Sequence, residues 1–523
     1  MNAKKLSLIK PGLLLLVGLG LTTACNEQAA REGIRVEDRS LSFIEIPAET
    51  ITDKIRGGLL GQMIGVQNGL QYEFKFIEEP GNVSGYVPAL PEGAITDDDT
   101  DFEWVYIYTM QQQRQLKIPY QNIATLWKER INKNIWCSNR YARSLMDIDI
   151  DPPHTGNIAL NPWAEFNISG QFLCETFGLI APAMPQSASK IGLHYTNVAI
   201  DYEPAQTTQF FTSMIATAFV ESDIIKILDA GVQATDTSSI LPMLVADLKE
   251  WHRQYPQDWK HTRKLIEEKY SPKTSWIRSN NGYELNSAGV VAALLYGEGD
   301  YARTMEFAYN FGWDADCNAA TAGTILGTVK GYKWMMSQGW QIVDRYQNTT
   351  RDNMPEDETI TSFADRVIEL FELLNEENGG AKIVSNQRIV YKIPAEKPRA
   401  VVPLRTKDSQ QKILLAALNS SIERDLLSED RASSAKAVYL AICLDMQDEL
   451  SQKHPNQWQR AIKELKGYYK VMNNVFWGSD FKTLNELKEK FIASGFTAPP
   501  RKLTDEEVYS SIIWKDPTEI VLE

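Results

Sequence analysis

Apolar residues recur at intervals of three and four along most of this chain, while the two-residue alternation of strands is scarce. Helical periods cover residues 51–72, 102–113, 206–228, 239–253, 287–296, 301–310, 319–337 and 363–375. The exception is RIVYKIPAEKPRAVVPL, residues 388–404, where β-branched residues are interrupted by prolines; it reads as a linker or edge hairpin. NGG at 378–380 is a helix-stop signal just before it, which places a boundary near residue 385. Beyond it KILLAALNSSIERDL, AKAVYLAICLDMQDEL and WQRAIKELKGYYKVM are amphipathic and carry no chemical motif. The pattern predicts an all-α protein: a polar tether over 26–47, a main domain over 48–385, a linker or edge hairpin over 386–408 and a C-terminal helical domain over 409–523.

Two of the predicted helices are rich in glycine. IRGGLLGQMIGVQNGLQYEF, residues 55–74, repeats glycine every four residues at Gly57, Gly61, Gly65 and Gly69; FGWDADCNAATAGTILGTVKGY, residues 311–332, does so at Gly323, Gly327 and Gly331. Each interior glycine costs roughly 1 kcal/mol relative to alanine. Positions four apart stack on one helix face, so each run presents a bare strip that lets another backbone come very close. A membrane GxxxG pair is excluded, because both helices carry polar residues and neither is an apolar span of membrane length. Dense packing of two central helices is the expected compensation.

Composition adds limits. The 523 residues exceed one ordinary domain, and 43% hydrophobic with 23% charged residues suffices for a large core. A net charge of -14 argues against nucleic acid as a partner, since that binding needs clustered cations. At the start, MNAKKLSLIKPGLLLLVGLGLTTAC pairs lysines with an apolar run over 13–21 and small residues before Cys25, the pattern of a secretory signal. LTTAC resembles a bacterial lipobox, which implies lipidation at Cys25, a signal peptide over 1–25 and membrane contact through a lipid anchor only, on a bacterial cell envelope; a secreted protein with an incidental cysteine is the alternative. Cys137, Cys174, Cys317 and Cys443 are widely spaced and form no zinc motif.

The chemistry-bearing residues flank the glycine runs. Glu73 ends the first, TDDDTD follows at 96–101, and DADC at 314–317 opens the second. Adjacent carboxylates repel, and hard oxygen donors suit Mg²⁺ or Ca²⁺. Asp314, Asp316 and Asn318 begin like an EF-hand, but Ala319 and Ile325 stand where its glycine and glutamate belong. A metal site, a solvated acidic loop and plain helix capping by Asp314 and Asp316 all remain open on residue types alone.

In this order, GGLLGQMIGVQNGLQYEF, DDDTDFEW and GWDADCNAATAGTILGTVKG resemble the ADP-ribosylglycohydrolase family, as does the middle segment 177–219, over roughly residues 45–385. The resemblance implies an all-α orthogonal bundle, a pair of Mg²⁺ ions, and hydrolysis at the anomeric carbon of ADP-ribose or a related riboside. It places metal ligands on Asp97, Asp98, Asp99, Asp314, Asp316 and Cys317, and the catalytic carboxylate on Glu73. Gly156, Asn157, Asp201 and Glu203 are substrate-binding candidates. Three positions depart from the family's pattern: Val66 stands for an aspartate, Cys317 for a threonine, and Ile200 for a central histidine. These departures, with the export signal, keep two alternatives in view: an envelope glycosidase acting on a glycan or nucleoside-like substrate, and a catalytically silent ligand-binding lipoprotein. The expected partners are a small-molecule or glycosylated substrate and, for the C-terminal helices, a protein.

Overall fold

The helical periods become helices, mostly extended by a few residues. Residues 51–72 are helical over Ala48–Gly69, 102–113 over Asp98–Gln113, and 363–375 over Ile360–Glu377. Two predicted helices are each split in two. Residues 206–228 form Tyr202–Ala218 and Ile224–Gln233, the second capped by the Asp223 side chain. Residues 319–337 form Ala315–Lys330 and Tyr332–Ser337, because Gly331 takes a φ of 82° that no continuing helix permits.

The computed structural model describes residues 42–355, 357–385, 387–478, 480–510 and 512–514; the expected signal peptide, Cys25 and residues 26–41 of the expected tether lie outside these. The described protein is all-α apart from two small three-stranded sheets. One corrects the expected boundaries. Phe43–Pro47, assigned to the tether, pairs antiparallel with Arg388–Pro394, which in turn pairs with Ala381–Ser385. The predicted linker or edge hairpin therefore contains the central strand of a sheet. Its prolines sit where the strand ends, at Pro394, and beyond it, so no ladder donor is lost in the middle.

At the centre, the Ala48–Gly69 and Ala315–Lys330 helices lie against each other in opposite directions, glycine on glycine. A Cβ on Gly57 would come within 2.5 Å of the Gly327 carbonyl oxygen, and one on Gly61 or Gly323 would overlap the carbonyl of the other. Gly65 abuts Ala319 and Ala320, and a Cβ on Gly69 would stand 2.5 Å from the Cα of Asp316. Apolar residues surround this seam: Ile51, Ile55, Leu59, Met63, Ile325 and Leu326 are all fully buried in the principal core.

The C-terminal helices do not stand apart. Ser42–Glu523 is one compact unit, and a second core merges Tyr141, Leu145, Trp163 and Phe166 with Tyr439, Phe476 and Phe481. Tyr439 Oη donates to Leu160 O at 2.6 Å and lies 2.8 Å from Tyr141 Oη. Asp147 forms buried ion pairs with Lys470 at 2.9 Å and Arg143 at 2.6 Å. Removing one partner of such a pair leaves an uncompensated charge, so this junction tolerates little separation.

The backbone seam makes a direct prediction. Gly61→Ala, which elsewhere in a helix would stabilise, should lower stability here by roughly 1–3 kcal/mol through overpacking, measured by urea denaturation. Unchanged or increased stability would show that the two helices have room to spare.

Candidate active site

Both acidic motifs start helices at the same end of the glycine seam. Asp97 is the N-cap of the Asp98–Gln113 helix, its Oδ1 accepting from Asp99 N at 3.3 Å. Asp314 occupies the N-cap position of the Ala315–Lys330 helix without making a side-chain cap bond, which sets aside the plain capping reading for that residue. Glu73 follows the short turn Leu70–Tyr72 that extends the first glycine helix. Two backbone bonds hold its loop to the second motif: Phe74 N donates to Trp313 O at 2.9 Å, and Trp313 N to Phe76 O at 3.3 Å. Gly312 makes that approach possible, since its φ is 78° and a Cβ there would overlap the Phe76 carbonyl.

The result is convergence. Donor atoms of Asp99, Asp316 and Cys317 lie within 4.8 Å of one another, as do those of Glu73, Asp314 and Asp316, and those of Asp97, Asp98 and Asp99. Shared Asp99 and Asp316 link the three groups into one site. Asp99, Asp314, Asp316 and Cys317 are buried, Asp97 and Asp98 half-buried, and Glu73 exposed, so the site opens to solvent on the Glu73 side. All seven predicted ligand and acid residues are therefore brought together.

Electrostatics shows what is missing. Burial, then repulsion from Asp314 and Asp98, pushes the Glu73 carboxyl up to about 8. Burial likewise raises Asp98 to about 6, against the pull of Arg351, and Asp314 to about 6. Asp97, Asp99 and Asp316 are also raised, by burial first and then by neighbouring carboxylates, Asp98 foremost for Asp97, Asp97 for Asp99 and Asp314 for Asp316. The Oδ1 of Asp316 has no hydrogen-bond partner although the residue is only 1% exposed. An orphaned buried carboxylate oxygen among mutually repelling acids is the donor set a divalent cation fits.

Several residues that build the site gave no signal in the sequence. Arg351 is a buried cation facing Asp98, Asp101 and Asp97. Its guanidinium donates to Lys133 O at 2.9 Å and lies 4.1 Å from the Phe102 ring centroid. Asp101, the last acid of TDDDTD, is not a ligand candidate. It accepts from Tyr346 Oη, Thr96 Oγ1 and the backbone and hydroxyl of Thr350, and so fixes the loop that delivers Arg351. Arg263 clamps the two motif loops by donating to Phe311 O, Phe76 O and Ile77 O. Asn281 donates to Asp314 Oδ2 at 3.2 Å, and Asn286 Oδ1 accepts from Asp314 N at 3.1 Å. One turn beneath Asp99, Glu103 and Glu175 form a second, fully buried acidic pair held by Gln62, Thr176 and Thr321.

The four substrate-binding candidates are engaged elsewhere, and none joins the acidic groups. Gly156 packs against the Asn197–Ala199 backbone, and Asn157 Oδ1 accepts from Ala159 N. Asp201 caps the Tyr202–Ala218 helix and accepts from Gln410 Nε2 at 2.7 Å, tying it to a C-terminal helix. Glu203 accepts from Ser239 Oγ at 2.6 Å and Ile240 N at 3.2 Å. Burial with satisfied bonds gives Asp201 and Glu203 structural work.

The site is thus acid-lined, open to solvent on one side, carried on an all-α scaffold, and composed of residues that could hold a metal ion. Residues 47–377 match the family described as ADP-ribosylglycohydrolase, and the chain belongs to that family. It is accordingly a glycosidic-bond hydrolase. No protein of curated function matches it. Among solved structures it is similar to an ADP-ribosylglycohydrolase-related protein complex, at 14% identity and a TM-score of 0.40, over 62% of this chain and 99% of that one.

Protons and a dication compete for the same oxygens. With Asp98 and Asp314 raised to about 6, apparent affinity for a divalent ion such as Mg²⁺ should climb as pH rises through that value, measured by calorimetry. A flat profile would mean that these carboxylates are not the ligands.

Proposed function

We propose that the chain is a magnesium-dependent hydrolase that cleaves the N- or O-glycosidic bond at the anomeric carbon of ADP-ribose or a related riboside. The observation that carries this reading is the meeting of Glu73, Asp97, Asp98, Asp99, Asp314, Asp316 and Cys317 around shared ligand positions. Bound dications would supply positive charge beside the sugar hydroxyls and the attacking water. Glu73 is the one acid of the set that is exposed, so it is the one that reaches the substrate's reacting end. Its carboxyl is raised by burial and by the carboxylates around it, and in this reading it gives a proton to the leaving group as the glycosidic bond breaks. Water supplies the oxygen that replaces the leaving group, and its proton returns to Glu73. Arg351, beneath Asp98, keeps the ligand loop oriented rather than touching substrate.

The mouth of the site supports a ring-bearing substrate. Phe74, next to Glu73, makes an edge-on contact with Trp276 at 5.2 Å between centroids, and Trp276 is 54% exposed. An exposed indole packed on the residue that follows Glu73 offers a stacking surface for a sugar face or a nucleobase. We place the enzyme on the bacterial cell envelope, anchored through Cys25. The export-like start favours, as a second reading, an extracellular riboside or glycan over ADP-ribosylated protein. No described helix is long and apolar enough to cross a membrane.

Two variants test this reading. Glu73→Gln should lose roughly 100-fold or more in turnover of ADP-ribosyl or aryl riboside substrates while still titrating with Mg²⁺; turnover near wild type would remove Glu73 from the chemistry. Trp276→Ala should raise KM about tenfold with kcat little changed, as expected for lost stacking. A wild-type protein that binds ADP-ribose yet turns over no riboside or glycoside would establish the silent-binder alternative.

A further inference from the structure

The three donor groups are not chemically alike. Glu73, Asp314 and Asp316 offer only oxygen, as do Asp97, Asp98 and Asp99, whereas Asp99, Asp316 and Cys317 bring a sulfur among two carboxylates. Cys317 is 4% exposed and borders the principal core, and its Sγ donates to Asp99 Oδ2 at 2.9 Å, so the sulfur is directed at a candidate ligand atom. A second observation bears on this position: the buried, partnerless Asp316 Oδ1 belongs to a side chain that this group shares with the Glu73–Asp314 group. A hard Mg²⁺ ion gains little from sulfur, while borderline ions of the zinc type gain much. The donors thus disagree with a pair of identical magnesium ions.

We infer that the position bounded by Asp99, Asp316 and Cys317 takes a borderline transition-metal dication through the Cys317 sulfur, and that the all-oxygen positions take the hard ion. The inference rests on the metal-dependent reading of the site, and it makes the pair of ions chemically unequal. A dication held there would displace the S–H hydrogen, which points to Asp99 Oδ2, as a proton, and would draw on the sulfur and the two carboxylates. Asp99 and Asp316 belong also to the all-oxygen groups, so the two kinds of position share residues.

Zinc outcompetes magnesium at almost any mixed site, so preference in the wild type decides nothing. The informative quantities are a double ratio and a spectrum, and neither needs turnover. The purified full chain is titrated with Zn²⁺ and with Mg²⁺ by calorimetry, then loaded with Co²⁺ and scanned for a thiolate-to-cobalt charge-transfer band. The wild type should show the band. Cys317→Ser and Cys317→Thr should lose it, and their Zn²⁺-to-Mg²⁺ affinity ratio should fall about tenfold or more. Loss of the band in both variants also removes the buried Cys137 as its source.

If either variant fails to fold, judged by circular dichroism, the cobalt spectrum of the wild type still decides. No thiolate band in the wild type, or an affinity ratio unchanged by both substitutions, overturns the inference. The hydrolase reading fails separately: a chain that shows the thiolate band but cleaves no riboside with any metal retains the mixed site and loses the activity.

Discussion

Contact of bare backbone with bare backbone between the two glycine helices is the constraint from which the rest of the site follows. Ordinary helices pack 8–10 Å apart, held off by their side chains. Here carbonyls of one helix fill the space a Cβ would need on the other at Gly57 and Gly327 and at Gly61 and Gly323, and the Cα of Asp316 does so at Gly69. The last contact matters most. It presses the end of the first helix against a ligand residue of the second, and the chain beyond Gly69 runs straight on to Glu73. The roughly 1 kcal/mol forgone at each glycine is therefore offset by dense burial and by fixing two sequence-distant acidic turns against each other.

A second tension sits on that scaffold. Six carboxylates are gathered around one site, and Arg351 is the buried cation named among their electrostatic neighbours. Two helix N-termini soften the repulsion, because the Asp98–Gln113 and Ala315–Lys330 helices both direct their positive ends toward it. Burial first, and for Asp98 and Glu73 the neighbouring carboxylates after it, keeps Asp98, Asp314 and Glu73 raised. A dication held by the aspartates would relieve the crowding of negative charge that remains.

How much of this was visible in residue types depends on whether the signal is local. The glycine strips and acidic triplets are local and unusual, so the seam and the residues that gather at its end are legible in the sequence. Asp314 was ambiguous between cap and ligand until its side chain proved to make no cap bond. Arg351, Arg263 and Asn281 were invisible, because nothing in QNTTRDN, KHTRKL or RSNNGY separates them from surface loops. They act through bonds to residues far away in the chain: Arg263 reaches Phe76, and Asn281 reaches Asp314. Asp201 caps its own helix, while Glu203 in the same first turn accepts from Ser239 and Ile240 of another segment, so neither side chain joins the acidic groups.

The segments outside the family match also bear on the site, and in a way periodicity alone does not show. Phe43–Pro47 leads without a break into the first glycine helix, and the strand that pairs with it is Arg388–Pro394, beyond residue 377. One end of the central helix is thus held by chain that lies past the matched region. On another side, the Cys137–Met146 helix begins at Cys137, whose thiol is pushed up to about 12 mainly by burial and feels both Asp314 and Asp98. Its far end is gripped by C-terminal residues, through Asn474 to Ser144 and Lys470 to Asp147. A helix within electrostatic reach of the acidic site is in this way part of the second core. Loosening the C-terminal helices would therefore loosen the helix whose first residue feels Asp98 and Asp314.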